Sequence, residues 1–197
     1  EYHNPQTLEP LSLGSKIMAS LFQSVTFRTA GFATISQKGL YGATALLGIL
    51  LMLTGGSPVG TAGGVKTSTF ALVFFTAVAT VKGEEKVTVF RRTIPLKTIR
   101  KAVSVVLVFS SVLFVMVMLM SVFEEGSLLD IAYETASALG TVGLTLGITP
   151  QLHVPSQLIL ILLMYLGRVG SLTLMYAALS GKKAVNSKLP LEKITIG

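Results

Sequence analysis

The 197-residue sequence has no cysteine, no tryptophan and few charges. Without cysteine there can be no disulfide and no thiolate metal site. Without tryptophan, any aromatic belt at a membrane surface must come from five tyrosines and ten phenylalanines. Charged residues make up 13% of the chain, against about a quarter in soluble domains. The two histidines, His3 and His153, are too widely separated to read as a metal pair, and both read as surface positions. No Ser-His-Asp set and no recognisable catalytic carboxylate pair occurs, so an enzyme is not expected. The run GTAGG at 60–64 lacks the Lys-Ser/Thr placement of a phosphate loop. No nucleotide bound by this chain, and no ATP hydrolysis, is therefore expected. No basic region leads into an apolar core at residues 1–16, so no signal peptide is expected there. The first residue is Glu1 rather than Met, and the sequence is expected to be part of a longer protein.

What the chain has in abundance is apolar sequence. It is 51% hydrophobic, with a mean hydropathy of +0.71. The net charge of +7 does not point to nucleic acid, because the basic residues gather in two stretches that alternate with apolar segments. Loop 82–101 holds seven basic and two acidic side chains, and the tail 181–197 is also basic. The connection FEEGS between them is acidic. The positive-inside rule then makes the loop and tail cytoplasmic and FEEGS external. These features predict a multi-pass protein of the plasma membrane with a cytoplasmic C-terminus, in contact with membrane lipids.

Only residues 102–122 form an uninterrupted span of the length a bilayer requires, about 20 residues. Residues 15–27 and 128–139 are half-length helices. Residues 41–81 form a span broken by GGSPVGTAGGVKTSTF, and 153–180 form another, interrupted at LGRVGS. Irregular backbone at membrane depth is tolerated only inside protein or along a water-filled path, so the Gly-rich break predicts a transport pathway.

The chain also repeats itself. With Thr29 laid over Thr141, T-A-G-F at 29–32 falls on T-V-G-L at 141–144. Gly14-Ser15 then falls on Gly126-Ser127, and Gly55 on Gly167. Each copy reads as half-helix, Thr-x-Gly-apolar turn and broken span, and the second copy adds the full span 102–122. The fold expected is an all-α membrane protein with two of four span–re-entrant-loop–span units around one pore. The copies divide the chain into 1–81 (pore helix 15–27, turn 28–33, broken span 41–81) and 102–180 (turn 140–145). The loop 82–101 joins them and the tail 181–197 follows. Such a turn suits a cation pore. Backbone carbonyls can replace an ion's water, and Gly permits the dihedrals that aim them inward.

The runs SVTFRTAGF (24–32), GGSPVGTAGGVKTSTFA (55–71), SALGTVGLTLGITP (137–150) and MYLGRVGSLTL (164–174) resemble the Trk/Ktr/HKT superfamily of potassium transporters. The likeness is nearest to the membrane subunit of bacterial Ktr systems. It implies a chain holding the third pore repeat without its first span and the complete fourth. It also implies potassium as the transported ion, with sodium the alternative. The backbone carbonyls of Thr29, Ala30, Gly31, Thr141, Val142 and Gly143 would hold that ion in half of a selectivity filter. The broken stretch 55–67, with Gly56, Gly60, Gly63 and Gly64, would be the gating loop, and Arg168 a barrier or latch beneath the filter. The implied partners are the missing N-terminal half, a second copy in a homodimer, and a cytoplasmic ring of nucleotide-binding regulatory subunits. A structural membrane subunit that lines no pore is the alternative from another class.

Four further residues carry expectations of their own. Lys66 either anchors the gating segment at its cytoplasmic side or snorkels to the interface. Arg168, a charge deep in an apolar span, calls for a partner or water. Arg28 precedes the first turn and would repel cations if it faced them, so a pairing with a carboxylate is expected behind the loop, with Glu134 and Asp130 the candidates. Phe27 stands where relatives generally carry a smaller residue, which puts a large ring near the base of the first turn.

Overall fold

Ser12 and Ser127 start the two half-length helices for the same reason. Each has extended backbone, and its hydroxyl accepts an otherwise unpaired amide of the first turn, from Ser15 and Leu129 respectively. In the computed structural model, which describes residues 1–58, 62–84 and 86–169, helix α1 runs Leu13–Thr26 and helix α5 Leu128–Leu139. Between them lie α2 (Gly42–Leu53), α3 (Thr67–Val81), a two-stranded hairpin of β1 (Thr88–Val89) and β2 (Arg92–Thr93), and α4 (Leu96–Phe123). After α5 come a 3-10 turn (Thr149–Gln151) and α6 (Val154–Val169).

α4 is the one helix among the described residues that is long and apolar enough to cross a bilayer. Its 28 residues correspond to about 42 Å at 1.5 Å per residue. It begins at Leu96, straight after Pro95, so it absorbs Lys97, Arg100 and Lys101 from the predicted loop 82–101. Only 11% of its most apolar window is buried, so it is not the core helix of a soluble domain. Three shorter apolar helices, α2, α3 and α6, accompany it. Their outward faces carry exposed Leu46, Leu50, Phe74, Leu158 and Ile161. Contiguous apolar surface on this scale belongs against lipid or other protein.

α5 is the hub. It packs against α2, α4 and α6, and Ile131 and every residue from Tyr133 to Leu139 are buried. One core cluster joins Phe27, Ile49, Met52, Tyr133, Val142 and Leu144, and a second joins Phe109, Met120, Ile131, Leu139, Leu160 and Leu163. Phe27 finds its space over Gly48. A Cβ there would come within 3.0 Å of the Phe27 ring and 3.4 Å of Tyr133. The large ring thus lies behind the turn against α2, in a hollow that the glycine leaves.

The predicted broken span divides at Thr54, where α2 ends. The chain returns to itself through a parallel bridge between Thr54 and Val65 before α3 begins. Val65 N donates to Leu53 O at 3.0 Å and Thr67 N to Gly56 O at 3.3 Å, so the backbone groups at the break pair with one another. α6 is helical through Gly167 and Arg168 to Val169. The rest of the predicted span 153–180 and the tail 181–197 lie outside the described residues.

Nothing in the sequence announces the hairpin in loop 82–101. Its turn residues Phe90 and Arg91 both have positive φ, 48° and 63°. The Asn-Gly or Asp-Gly pair that usually marks such a turn is absent. Val87 and Ile99 hold the hairpin against Ala79 at the end of α3. At the other end of the molecule, residues 1–11 fold over the start of α2. Asn4 Nδ2 donates to Gly39 O at 2.7 Å, and the Glu1 carboxylate accepts from Tyr41 N at 2.8 Å.

Candidate functional site

Both Thr-x-Gly turns leave the end of a half-length helix with the same backbone. Thr29 and Thr141 have φ of 72° and 55°, and Gly31 and Gly143 have 77° and 89°. The residues between them, Ala30 and Val142, do not share this conformation. For a β-branched threonine the left-handed region is a true outlier. Such strain persists only where the surroundings enforce it, and it gathers at functional sites. Here it occurs twice, at positions the repeat superimposes.

Hydroxyls at the helix ends enforce it. Thr26 Oγ1 donates to Phe32 O at 2.5 Å and accepts from Phe32 N at 3.0 Å, closing the first turn. In the second, Ser137 Oγ accepts from Gly143 N at 3.2 Å, and Val142 N donates to Ser137 O at 2.8 Å. The two turns touch. A Cβ on Gly31 would lie 2.3 Å from Val142 O, a distance no side chain tolerates, whereas a Cβ on Gly143 would meet nothing within 4 Å. Gly31 is needed for conformation and for contact, and Gly143 for conformation alone.

The Gly-rich loop sits directly against the second turn. A Cβ on Gly63 would lie 2.2 Å from Thr141 Oγ1 and 2.8 Å from Gly140 O, and one on Gly55 2.1 Å from Gly63 O. Gly64 has a φ of 71°. Gly56 approaches Ala62. Lys66 Nζ donates to Ala62 O at 2.5 Å, so its ammonium fastens the loop to itself. From the other side Gly167 of α6 presses on Leu139 O, where a Cβ would come within 2.0 Å. The next residue, Arg168, lines a cavity of about 620 Å³ together with Ser137, Thr141, Val142, Gly143 and Met164. Gly60 lies outside the described residues.

The expected pairing of Arg28 is corrected. Glu134 turns to its own loop, accepting from Thr145 Oγ1 and, at 3.0 Å, from Thr149 Oγ1. Asp130 sits in the first turn of α5, where the helix dipole favours an acid. Arg28 is exposed and pairs with neither predicted carboxylate. Another acid, Glu124 at the end of α4, faces His153. The two predicted carboxylates lie where α5 and its following loop use them.

Sequence reasoning missed the polar residues that support the turns. Gln37 Oε1 accepts from Gln23 Nε2 at 2.7 Å and from the Tyr133 hydroxyl at 3.0 Å, and all three residues are buried. It also missed Thr26, Ser137, Thr145 and Thr149. A signal existed for some of them. Gln23 and Thr26 are polar residues interleaved with Phe22, Val25 and Phe27, and a polar group buried among apolar neighbours needs a partner.

Residues 3–185 match the family described as TrkH, cation transport protein. The chain is 37% identical over 177 residues to the Ktr system potassium uptake protein B of Bacillus subtilis, covering 90% of this chain and 40% of that protein. It is 36% identical over 200 residues to the potassium/sodium uptake protein NtpJ of Enterococcus hirae, covering 98% and 44% respectively. In structure it resembles the potassium transporter TrkH from Vibrio parahaemolyticus. The TM-score is 0.72 at 21% identity, covering 84% of this chain and 38% of that one. The chain therefore spans less than half the length of each of these relatives. With its strained paired turns, its apolar helices and a match over nearly all its residues, the chain belongs to the TrkH family of cation transport proteins.

Proposed function

We propose that this chain supplies two of four pore units of a potassium-translocating membrane transporter, with the first and second units in the remainder of the full-length protein. The observation that carries this reading is the doubled backbone signature, Thr and Gly left-handed in both turns, with the turns in contact at Gly31 and Val142. Residues of positive φ alternating with residues of ordinary φ aim successive carbonyls to one side. Carbonyls of Thr29, Ala30, Gly31, Thr141, Val142 and Gly143 then replace water around a dehydrated potassium ion. The C-terminal ends of α1 and α5 bring partial negative charge to the same place.

The loop 55–67 is the gate in this proposal, because Gly63 lies against Thr141 and leaves no space for another group between them. Arg168 adds a positive charge to the lining of the cavity beside the second turn. The hairpin side of the molecule, with its basic residues, is cytoplasmic. It faces the nucleotide-binding regulatory ring of a homodimeric assembly, and the C-terminal tail lies on that side too.

The name of the Enterococcus hirae relative favours a second reading, in which sodium passes as well. Flux of rubidium, potassium and sodium into proteoliposomes carrying the full-length protein separates the two, with Gly143→Ser beside the parent. Strong potassium and rubidium flux with little sodium, blurred in the variant, is expected. Equal flux of all three would transfer the assignment to mixed transport, and no flux from folded protein would remove the pore reading.

A further inference from the structure

Residues 133 and 134 are neighbours on α5, yet they hold different turns. Glu134 takes the hydroxyls of Thr145 and Thr149, which follow the second turn. Tyr133 reaches the segment that follows the first, where its hydroxyl meets Gln37 Oε1 at 3.0 Å. Successive helix residues diverge by about 100°, so one turn of one helix can reach to both sides.

Gln37 is the junction. Its oxygen also accepts from Gln23 Nε2 of α1 at 2.7 Å, and its Nε2 donates to Ile35 O at 3.0 Å. Three pieces therefore converge on one buried amide: the helix before the first turn, the chain after it, and the helix before the second. Tyr133 is fully buried. No water competes for its hydroxyl, and losing the partner would leave a buried polar group unpaired. In front of this junction the turns touch at Gly31 and Val142 O with no slack. A change in the separation of α5 and the 32–37 segment must therefore move the carbonyls of Ala30 and Gly31 relative to those of Val142 and Gly143.

We infer that Tyr133 and Gln37 are positioning residues for ion selectivity: their hydrogen bond sets the spacing between the two turns from behind. This rests on the filter reading given above. It adds residues that never touch the ion and a coupling that crosses between the repeats.

The test uses the full-length protein in proteoliposomes, with Tyr133→Phe, Gln37→Met and the double variant. Two quantities are measured, the ratio of potassium to sodium flux and the melting temperature. Each single variant is expected to lower the ratio by about threefold to tenfold, the factor one buried hydrogen bond supplies. The double variant is expected to be no worse than the poorer single, because both substitutions remove the same bond. If one single variant fails to fold, the other removes the same bond from the opposite side. An unchanged ratio in folded single variants, beside a selective parent, would overturn the inference. So would losses that add in the double variant, or a melting temperature that falls while the ratio holds. A parent that moves no potassium would instead overturn the filter reading, and this inference with it.

Discussion

Helices α1 and α5 occupy the same place in the two repeats but live in opposite surroundings. Leu21, Phe22 and Val25 of α1 are 60%, 40% and 65% exposed. The positions that the repeat lays over them on α5 are Tyr133, Glu134 and Ser137, and these are 0%, 5% and 3% exposed. α5 is enclosed by α2, α4 and α6, whereas α1 presents an apolar face that the rest of the full-length protein is proposed to cover. The composition follows from this. An enclosed helix beside strained backbone can carry an acid and hydroxyls, because partners lie within reach. The face of α1 that awaits a neighbour is apolar. The turns nonetheless share one backbone, so its conformation is dictated by the turn's own residues and the hydroxyl at each helix end.

The sharpest way to break the comparison is at the two glycines. Gly31→Ala and Gly143→Ala both force a side chain into the left-handed region, a cost of about 1–2 kcal/mol. Only Gly31→Ala also drives a Cβ into Val142 O. Rubidium uptake by the full-length protein is expected to fall more than about tenfold in Gly31→Ala. Its melting temperature should fall by at least about 2–4 °C. Gly143→Ala should fold more nearly like the parent and lose selectivity. Equal effects on melting would show that the contact between the turns contributes nothing.

The next test concerns the two glycines that enclose Thr141. A Cβ on Gly63 meets the Thr141 hydroxyl first, at 2.2 Å, and Gly140 O only at 2.8 Å, whereas one on Gly167 meets the backbone of Leu139 first, at 2.0 Å. Side chains yield more readily than backbone. Gly167→Ala is expected to destabilise by a few kcal/mol, as overpacking typically does. Gly63→Ala should cost less in stability and act mainly on flux, by propping the 55–67 loop away from the turn. A Gly63→Ala protein with parental flux would separate that loop from gating.

Of intermediate size is the brace behind the second turn. Glu134→Gln keeps the shape but replaces a double acceptor with an amide that can accept at one end only. A loss of about 1–2 kcal/mol is expected, from one strained or broken hydrogen bond to Thr145 or Thr149. Phe22→Gln, at the equivalent place on α1, should not reproduce it, since the phenyl ring it replaces accepts no such bond. Thermal melting of both variants in the full-length protein decides the point.

The legible part of the fold was the part written in local chemistry. The apolar runs 15–27 and 128–139 announce the half-length helices, Gly55 and Gly56 the break in the span, and the Thr-x-Gly repeat the two turns. The hairpin could not be seen, because Phe90 and Arg91 carry no turn signal. Its shape comes from Val87 and Ile99 docking on α3. The site was legible in its backbone and not in its supports. That Gln37 meets Tyr133 is a contact across nearly half the chain, and periodicity says nothing about it. The two candidate partners of Arg28 were misplaced for a related reason. Counting charges suggested an ion pair, but the Glu134 carboxylate had two threonine hydroxyls nearer in its own loop, and a buried acid is satisfied by hydrogen bonds as well as by a cation.

The smallest effect should come from the clasp between α4 and α6, where Glu124 accepts from His153 N at 2.9 Å and faces His153 Nδ1 at 3.2 Å. Partial burial pushes the Glu124 carboxyl up. The neighbouring Ser156 hydroxyl, whose geometry falls short of a hydrogen bond, and the His153 amide and ring together outweigh burial and hold the carboxyl below its ordinary value of 4.5. A carboxyl lowered on folding stabilises the fold fully above 4.5, and that contribution disappears as pH falls through the lowered value. Melting of the full-length protein should therefore decline below about pH 4.5, and part of the decline should vanish in Glu124→Gln. The first repeat places a carboxylate here from another part of the chain: the residues superimposed on the clasp are Ser12 and Tyr41, and Tyr41 N donates to the Glu1 carboxylate at 2.8 Å. An acid-dependent rise in hydrogen exchange at the start of α6 that is removed in Glu124→Gln, while the response at the start of α2, where Glu1 holds Tyr41 N, stays as in the parent, is the outcome that would tie the pH response to this pair.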